Sequence, residues 1–226
     1  MKSIFILLFF SILFQSFGQN SELNLNNYFS ETEIADLNRM TDFFQSELCG
    51  RTDRIEFGEC LMVSFPENRE LFQYCVSGQI SYRKQKKLCK TLNNSTFKKI
   101  WALCPSTILI TEPEYEYQSI CFSGDTQFLA FIKALGEQNE YLKYYGQKLE
   151  RIGGFDSGTF LSESIIGQSE KWNLDNRNVQ IFLAIHYLTH NDLENRDKKA
   201  KRLEKRYNRD MIKKIKKTAP NKGYNL

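Results

Sequence analysis

The 226-residue sequence has little proline, glycine or histidine, and a single long apolar run. Its 4 prolines and 12 glycines are too few for a collagen-like or low-complexity chain. One apolar run is also too few for a polytopic membrane protein. Aromatic residues make up 14% of the chain, which indicates a folded core rather than disorder. The length fits one ordinary domain or two small ones, and we see no internal repeat.

The motifs of common enzymes are absent as well. The sequence has no GxSxG nucleophile elbow and no CxxC redox pair. Its one glycine-rich stretch, 153–158, follows a helical pattern, whereas a phosphate-binding loop follows a strand. That stretch is typical of a helix end and a turn. A pair of catalytic carboxylates remains possible, but the sequence singles out no pair among its 27 acidic residues.

The first 18 residues have the pattern of a secretory signal peptide. Lys2 gives a positive start, and an apolar stretch interrupted by one serine follows over 4–14. This stretch is shorter than the about 20 residues that span a bilayer. Ser16 and Gly18 are small residues at the positions that a signal peptidase reads. We therefore expect residues 1–18 to be removed and the protein to be secreted or periplasmic; a retained N-terminal anchor is the alternative.

The six cysteines all lie between positions 49 and 121, and none lies in the last 105 residues. An even number in an exported chain predicts three disulfides. A zinc site is the competing interpretation, but its ligands usually include two that are two to four residues apart, and no two cysteines here are closer than 11 positions. Pairing of neighbours is the simplest arrangement. The predicted disulfide cysteines are Cys49, Cys60, Cys75, Cys89, Cys104 and Cys121.

The clearest local signal predicts a helix over 31–49. Ser30 and Glu33 have the spacing of a capping box, in which each side chain bonds the backbone amide of the other residue. Gly50 is placed to end the helix. Capping residues and apolar spacing predict further helices over 66–76, 82–92, 96–104 (capped by Ser95), 126–135, 137–152, 177–190 and about 192–217.

These elements predict a mainly α protein, a single helical domain of six to eight helices with disulfides in its N-terminal half. The domain is expected over 19–190, and a basic amphipathic helix and tail over 191–226. The stretch 153–169 is rich in glycine and serine and predicts a loop. The stretch 107–111 is mostly β-branched and resembles a strand, but one strand cannot form a sheet.

Charge alternates along the chain in four blocks. Residues 19–70 carry −7, 71–111 carry +7, 112–190 carry −5 and 191–226 carry +8. One interpretation is that basic and acidic blocks face each other within the fold or form solvated helix faces. The other is that a basic block attracts an anionic partner, such as a phospholipid surface, a polyanionic glycan or an acidic protein.

The last block has the pattern of a basic amphipathic helix. Its apolar residues form one narrow stripe of Ala200, Leu203, Tyr207, Met211 and Ile215. Such a helix can lie on an anionic membrane or dock its stripe on the core, and the lack of Trp and Phe in the stripe favours docking. Nucleic acid is a poor candidate, because no nucleic-acid module is present. The predicted contacts with an anionic partner are Lys198, Lys199, Lys201, Arg202, Lys205, Arg206, Arg209, Lys213 and Lys214.

The only two histidines, His186 and His190, are four residues apart on a predicted helix and share one face. This spacing can place two imidazoles on one metal ion, but the glutamate of the HExxH motif is absent. Apolar residues share that face, which favours two histidines packed within the core over a metal site. These residues are Val179, Phe182, Leu183 and Leu193. We therefore expect a binding protein without a cofactor, with an anionic or protein partner. A hydrolase centred on the histidine pair, with or without a metal, is the alternative.

Overall fold

The computed structural model describes residues 23–50, 52–54, 56–65, 76, 78–106 and 117–218. Within these ranges it has eight α-helices and one two-stranded sheet, so the predicted mainly α fold is confirmed. The elements are α1 (Glu31–Cys49), α2 (Phe57–Val63), α3 (Tyr82–Cys89), α4 (Asn94–Ile100), β1 (Trp101–Ser106), β2 (Tyr117–Phe122), α5 (Thr126–Leu135), α6 (Glu140–Ile152), α7 (Gly158–Gly167) and α8 (Arg177–Thr218).

Three predictions fall outside the described residues. They are the signal peptide over 1–18, the strand over 107–111 and most of the helix over 66–76. Among the described residues, no helix is both long and apolar enough to cross a bilayer.

The first helix begins and ends as its sequence predicts. Ser30 Oγ accepts from the Glu33 amide at 3.4 Å, and Glu33 Oε2 accepts from the Ser30 amide at 2.9 Å. Gly50 follows the last turn with a positive φ of 66°, a conformation that suits glycine. Lys99 Nζ donates to Glu33 Oε2 at 2.7 Å, which fixes the start of α1 against the end of α4.

The α8 helix is the centre of the fold. It has 42 residues and is therefore about 63 Å long. In its first half the side chains are buried on all sides, with Ile181, Leu183 and Ala184 fully inaccessible. This half packs against α1, α3, α5, α7 and β2. The other elements of the fold therefore surround one apolar helix.

The prediction of two helices over 177–190 and 192–217 is wrong, because α8 is continuous through this stretch. Asn191 and Asp192 are common at helix ends, but here their side chains bond along the helix. Asn195 Nδ2 donates to the Asn191 carbonyl at 2.8 Å, and Arg196 forms an ion pair with Asp192 one turn away. The predicted boundary after His190 therefore lies within a continuous helix.

The predicted helix over 96–104 is also wrong in its second half. The helix α4 begins at Asn94, one residue before the predicted Ser95 cap, and Trp101 already has the extended backbone of β1. From Trp101 the chain pairs antiparallel with β2, with Trp101 opposite Phe122 and Ser106 opposite Tyr117. This long-range pairing overrides the local helical spacing.

The stretch predicted as a loop over 153–169 contains the helix α7. Ser157 caps it by accepting from the Phe160 amide at 3.3 Å. Leu161 and Ile165, four residues apart, are buried on one face of the helix. The glycine and serine content of the stretch conceals this short apolar face.

Two of the predicted neighbouring disulfides are confirmed. Cys49 bonds Cys60 across a Cα–Cα distance of 5.5 Å and closes the end of α1 onto α2. Cys104 bonds Cys121 across 6.0 Å and links β1 to β2. Cys89 forms no disulfide with a cysteine of the described residues, and Cys75, its expected partner, lies outside them. Two disulfides fit an oxidising compartment.

A buried carboxylate links α1 to the start of α4. The Asp36 side chain is only 3% exposed, and its Oδ2 accepts from the Asn93 amide at 2.7 Å, from Asn93 Nδ2 at 3.0 Å and from Thr96 Oγ1 at 2.7 Å. Its Oδ1 accepts from Arg39. Such bonds to a charged acceptor are stronger than bonds between neutral groups. Asp36 is therefore a main polar contact between these two helices.

Candidate functional site

The histidine pair lies in the buried half of α8. The rings of His186 and His190 are 4.5 Å apart between centroids, so the predicted common face is confirmed. His186 is fully inaccessible, and its Nδ1 is 2.9 Å from the hydroxyl of Tyr145 on α6. Burial, followed by the neighbouring His190, holds the pKa of His186 well below its usual 6.5. His186 is therefore neutral at neutral pH.

His190 is held by the turn between α6 and α7. Its Nε2 is 2.6 Å from the backbone carbonyl of Asp156, so this nitrogen carries the proton and donates it. Burial lowers the pKa of His190 as well, although the Asp156 contact opposes the shift. The Asp156 carboxylate is itself buried, and it forms an ion pair with Lys148 and accepts from the Ser157 amide at 2.8 Å.

These contacts give each histidine a structural partner. Within the part of the chain that the structure describes, no third His, Cys, Asp or Glu joins the pair as a metal ligand. Asp192, which follows closely in sequence, is engaged by Arg196 instead. Two buried atoms of this site, Nε2 of His186 and Oδ2 of Asp156, have no hydrogen-bond partner among the described residues. Because His186 is fully inaccessible, its ring does not open onto the surface, and the hydrolase stays a prediction.

Basic side chains from two distant parts of the sequence lie near each other. α3 packs against α8, and Lys86 of α3 and Lys90, which directly follows it, lie with Arg196 of α8 around one small cavity. Arg196 also lines a second groove, of about 290 Å³, with Lys199 and the edge of β2. The +7 and +8 blocks therefore meet in this region. Acidic neighbours form ion pairs with some other cations of the +7 block, namely Lys84–Glu47 and Lys99–Glu33.

The second half of α8 extends beyond the core. We call residues 198–218 the distal segment; it carries 11 Lys and Arg against two acids. Ala200 is buried, so the apolar stripe begins docked on the protein. Further along, Ile212 is 54% exposed and Ile215 is 59% exposed. The expected docking of the stripe is therefore wrong at Ile215. All nine predicted contact residues are exposed: Lys198, Lys199, Lys201, Arg202, Lys205, Arg206, Arg209, Lys213 and Lys214.

The small cavity between α3, the two-stranded sheet and α8 has a volume of about 190 Å³. One of its walls is Cys89, where burial and the nearby Asp192 carboxylate raise the thiol pKa to about 11. The thiol is therefore uncharged at neutral pH and behaves as a small apolar group. A larger groove of about 640 Å³ lies between α5 and α6 and is lined by acidic, basic and amide side chains.

The residues that surround the histidines and the cavity are distant from them in sequence. Tyr145 and Asp156 come from α6 and the turn after it, more than 30 residues from the histidines they contact. The convergence of α3 with α8 joins residues more than 100 positions apart, as the bond from Gln85 Nε2 to the Leu188 carbonyl illustrates. No local pattern in the sequence marks any of these contacts. No known protein family, curated protein or solved structure matches this chain.

Proposed function

We propose that this protein is a secreted or periplasmic binding protein whose distal segment attaches it to an anionic membrane surface. The observation that supports the proposal is the composition of the exposed end of α8. The distal segment carries ten exposed cations and two exposed isoleucines, Ile212 and Ile215. Cations near an anionic bilayer contribute about 1 kcal/mol each, and apolar side chains add to this by entering the interface.

Little of this positive charge is neutralised within the segment. Its two acids are Glu204 and Asp210, and Asp210 lies between Arg206 and Arg209 at 3.9 and 4.0 Å. These separations are at the limit of an ion pair, and pairs so exposed contribute little stability. The ion pairs with Asp210 therefore neutralise little of the charge of Arg206 and Arg209.

The isoleucines favour a membrane over a soluble polyanion. A polyanionic glycan needs only charge, and exposed Ile212 and Ile215 would remain in water when it binds. An anionic bilayer removes both side chains from water while the lysines and arginines stay at the head groups. The two disulfides and the signal-like pattern of residues 1–18 support an extracytoplasmic location for this contact.

The test is sedimentation of the protein with vesicles of phosphatidylglycerol mixed with phosphatidylcholine. We expect binding at about 0.1 M salt and strong loss at about 1 M, where the Debye length falls from about 10 Å to about 3 Å. Vesicles of phosphatidylcholine alone should not bind. Charge reversal at Lys205, Arg206 and Arg209 should abolish the binding, because it changes the segment's charge by −6.

A matched control carries the same charge change elsewhere. Lys143, Arg151 and Lys171 are exposed and lie outside α8, so their reversal to glutamate should leave most of the binding intact. A variant with Ile212→Ser and Ile215→Ser separates the two anionic partners: it should weaken binding to vesicles and leave binding to heparin unchanged. Equal loss in both charge variants, or no vesicle binding by the intact protein, would contradict the proposal.

A further inference from the structure

The cavity between α3, the two-stranded sheet and α8 has apolar walls. Phe97, Trp101, Ile120 and Leu188 line it, and Trp101, Ile120 and Leu188 are buried. An apolar cavity of about 150 Å³ is large enough to take up benzene. At about 190 Å³, this cavity has room for a six-membered ring and a short substituent.

The polar groups of the walls are already engaged by the protein. Gln85 Nε2 donates to the Leu188 carbonyl at 2.7 Å, and Gln85 Oε1 accepts from Asn191 Nδ2 at 2.6 Å. Trp101 Nε1 donates to Thr189 Oγ1 at 2.8 Å. A ligand therefore need not supply hydrogen bonds inside the cavity. The part of the ligand that enters the cavity is expected to be apolar.

The mouth of the cavity is positive. Lys86 and Lys90 are exposed there, and neither forms an ion pair with a carboxylate of the described residues. Arg196 adds a third cation. Asp192 is the carboxylate that lines this cavity among the described residues, and it forms an ion pair with Arg196. Lys86 lies over the Tyr82 ring at 4.8 Å, and within the described part of the chain the two lysines have no carboxylate partner beside the apolar cavity.

We propose that this cavity binds a small aromatic acid, with its ring among the apolar walls and its anionic group at the mouth beside Lys86 and Lys90. Neither the distal segment nor a membrane takes part, so this inference is independent of the proposed function. The ring supplies apolar contact, and the acid supplies the charge that the mouth lacks.

Phenylacetate and its neutral counterpart phenylacetamide are the probes that test this. Trp101 lines the cavity, and a Trp172→Phe background leaves its fluorescence as the only tryptophan signal. We expect phenylacetate to change this fluorescence saturably and phenylacetamide to bind about tenfold more weakly. The double variant Lys86→Gln, Lys90→Gln should also weaken phenylacetate binding about tenfold, while affinity for the amide stays unchanged.

The control is the double variant Arg83→Gln, Lys87→Gln. Both residues are exposed on α3 and neither lines the cavity, so the variant has the same net charge as the test variant but should bind phenylacetate nearly as well as the parent. All four substituted side chains are on the surface, so each variant is expected to fold. Removal of residues 204–226 should leave phenylacetate binding unchanged even where it abolishes vesicle binding.

Three results would overturn the proposal. The first is no saturable change with phenylacetate in the millimolar range. The second is equal affinity for the acid and the amide, which would mean that the mouth does not recognise charge. The third is an equal loss of affinity in the two double variants, which would mean that only the net charge of α3 matters.

Discussion

The Asp36 carboxylate is expected to be one of the main polar contributors to stability. We predict that Asp36→Asn lowers the free energy of unfolding by about 3 kcal/mol. The substitution keeps the shape of the side chain, removes its charge and replaces one acceptor oxygen with a donor. The groups around Asp36 are donors from Asn93, Thr96 and Arg39, so the new amide faces at least one donor without an acceptor.

The magnitude follows from the bonds that change. A hydrogen bond to a charged group contributes about 1.5–3 kcal/mol, and one between neutral groups about 0.5–1.5 kcal/mol. Three bonds to Oδ2 therefore lose about 1 kcal/mol each when the charge is removed. The bond from Arg39 adds little, because the Arg39 side chain is 47% exposed.

The effect should depend on pH in a defined direction. Burial raises the pKa of Asp36, but hydrogen bonds from Thr96, Asn93 and Arg39 outweigh it, so the pKa lies below its ordinary 3.8. A carboxyl group with a lowered pKa in the folded state contributes its full stability above the unfolded value. That stability is lost as the pH falls through the folded pKa. The difference in the free energy of unfolding between the parent and Asp36→Asn should therefore become smaller at acidic pH.

Urea unfolding followed by far-UV circular dichroism measures both effects. With a slope of about 2 kcal/mol per molar urea, the midpoint of Asp36→Asn should fall by about 1.5 M near neutral pH. Asp175→Asn is the matched control, because Asp175 is exposed, and its midpoint should stay close to that of the parent. A fall of less than about 0.3 M, or the same fall at about pH 7 and about pH 3, would refute this reasoning.

Three further substitutions test other contacts by the same unfolding measurement. Gly136→Ala should destabilise by about 1–3 kcal/mol, because its new Cβ would lie 2.6 Å from the Cα of Lys143. Tyr145→Phe should lower stability by about 1–3 kcal/mol, because His186 Nδ1 loses its buried partner. As the pH falls below about 6.5, histidines become protonated in the unfolded chain before His186 does in the folded protein. The free energy of unfolding should therefore decline by up to about 1.4 kcal/mol per pH unit for each buried histidine. The substitution His186→Gln should reduce this decline.

Two of these tests have a control in the chain. A Cβ at Gly167 would meet no atom within 4 Å, so Gly167→Ala should cost far less than Gly136→Ala. Tyr144 is 46% exposed, and Tyr144→Phe should change stability by less than about 0.5 kcal/mol. An unchanged acid slope in His186→Gln would mean that other groups cause the decline.

The sequence predicts those parts of the fold that short-range chemistry determines. Ser30, Glu33 and Gly50 set the ends of α1 because capping involves atoms three or four residues apart. Pairing of neighbouring cysteines likewise predicts the disulfides 49–60 and 104–121. Long-range pairing determines the rest. Trp101 continues a helical apolar spacing, and only its pairing with Phe122 makes it part of a strand.

The candidate sites were only partly predictable for the same reason. The exposed cations of the distal segment follow from composition, but the exposure of Ile212 does not, because it depends on where the core ends. Likewise, the cavity beside Lys86 forms only when α3 packs against α8. The continuity of α8 is not evident from the sequence, because Asn and Asp, here Asn191 and Asp192, are common at helix ends. In the structure their side chains bond to residues within the same helix.

The continuity of α8 also affects the entropy of recognition. Alone in water, a segment as short and as charged as 204–218 would hold little helix, because nucleation is unfavourable and like charges repel. In this protein the buried half of the same helix has already formed the nucleus, so the segment only extends it. If the segment binds a membrane as proposed, it does so without the about 1–2 kcal/mol per residue that ordering a free tail would cost. The core is thus a template for the proposed binding segment, and a substitution that loosens the core should weaken any such binding even when every contact residue is intact.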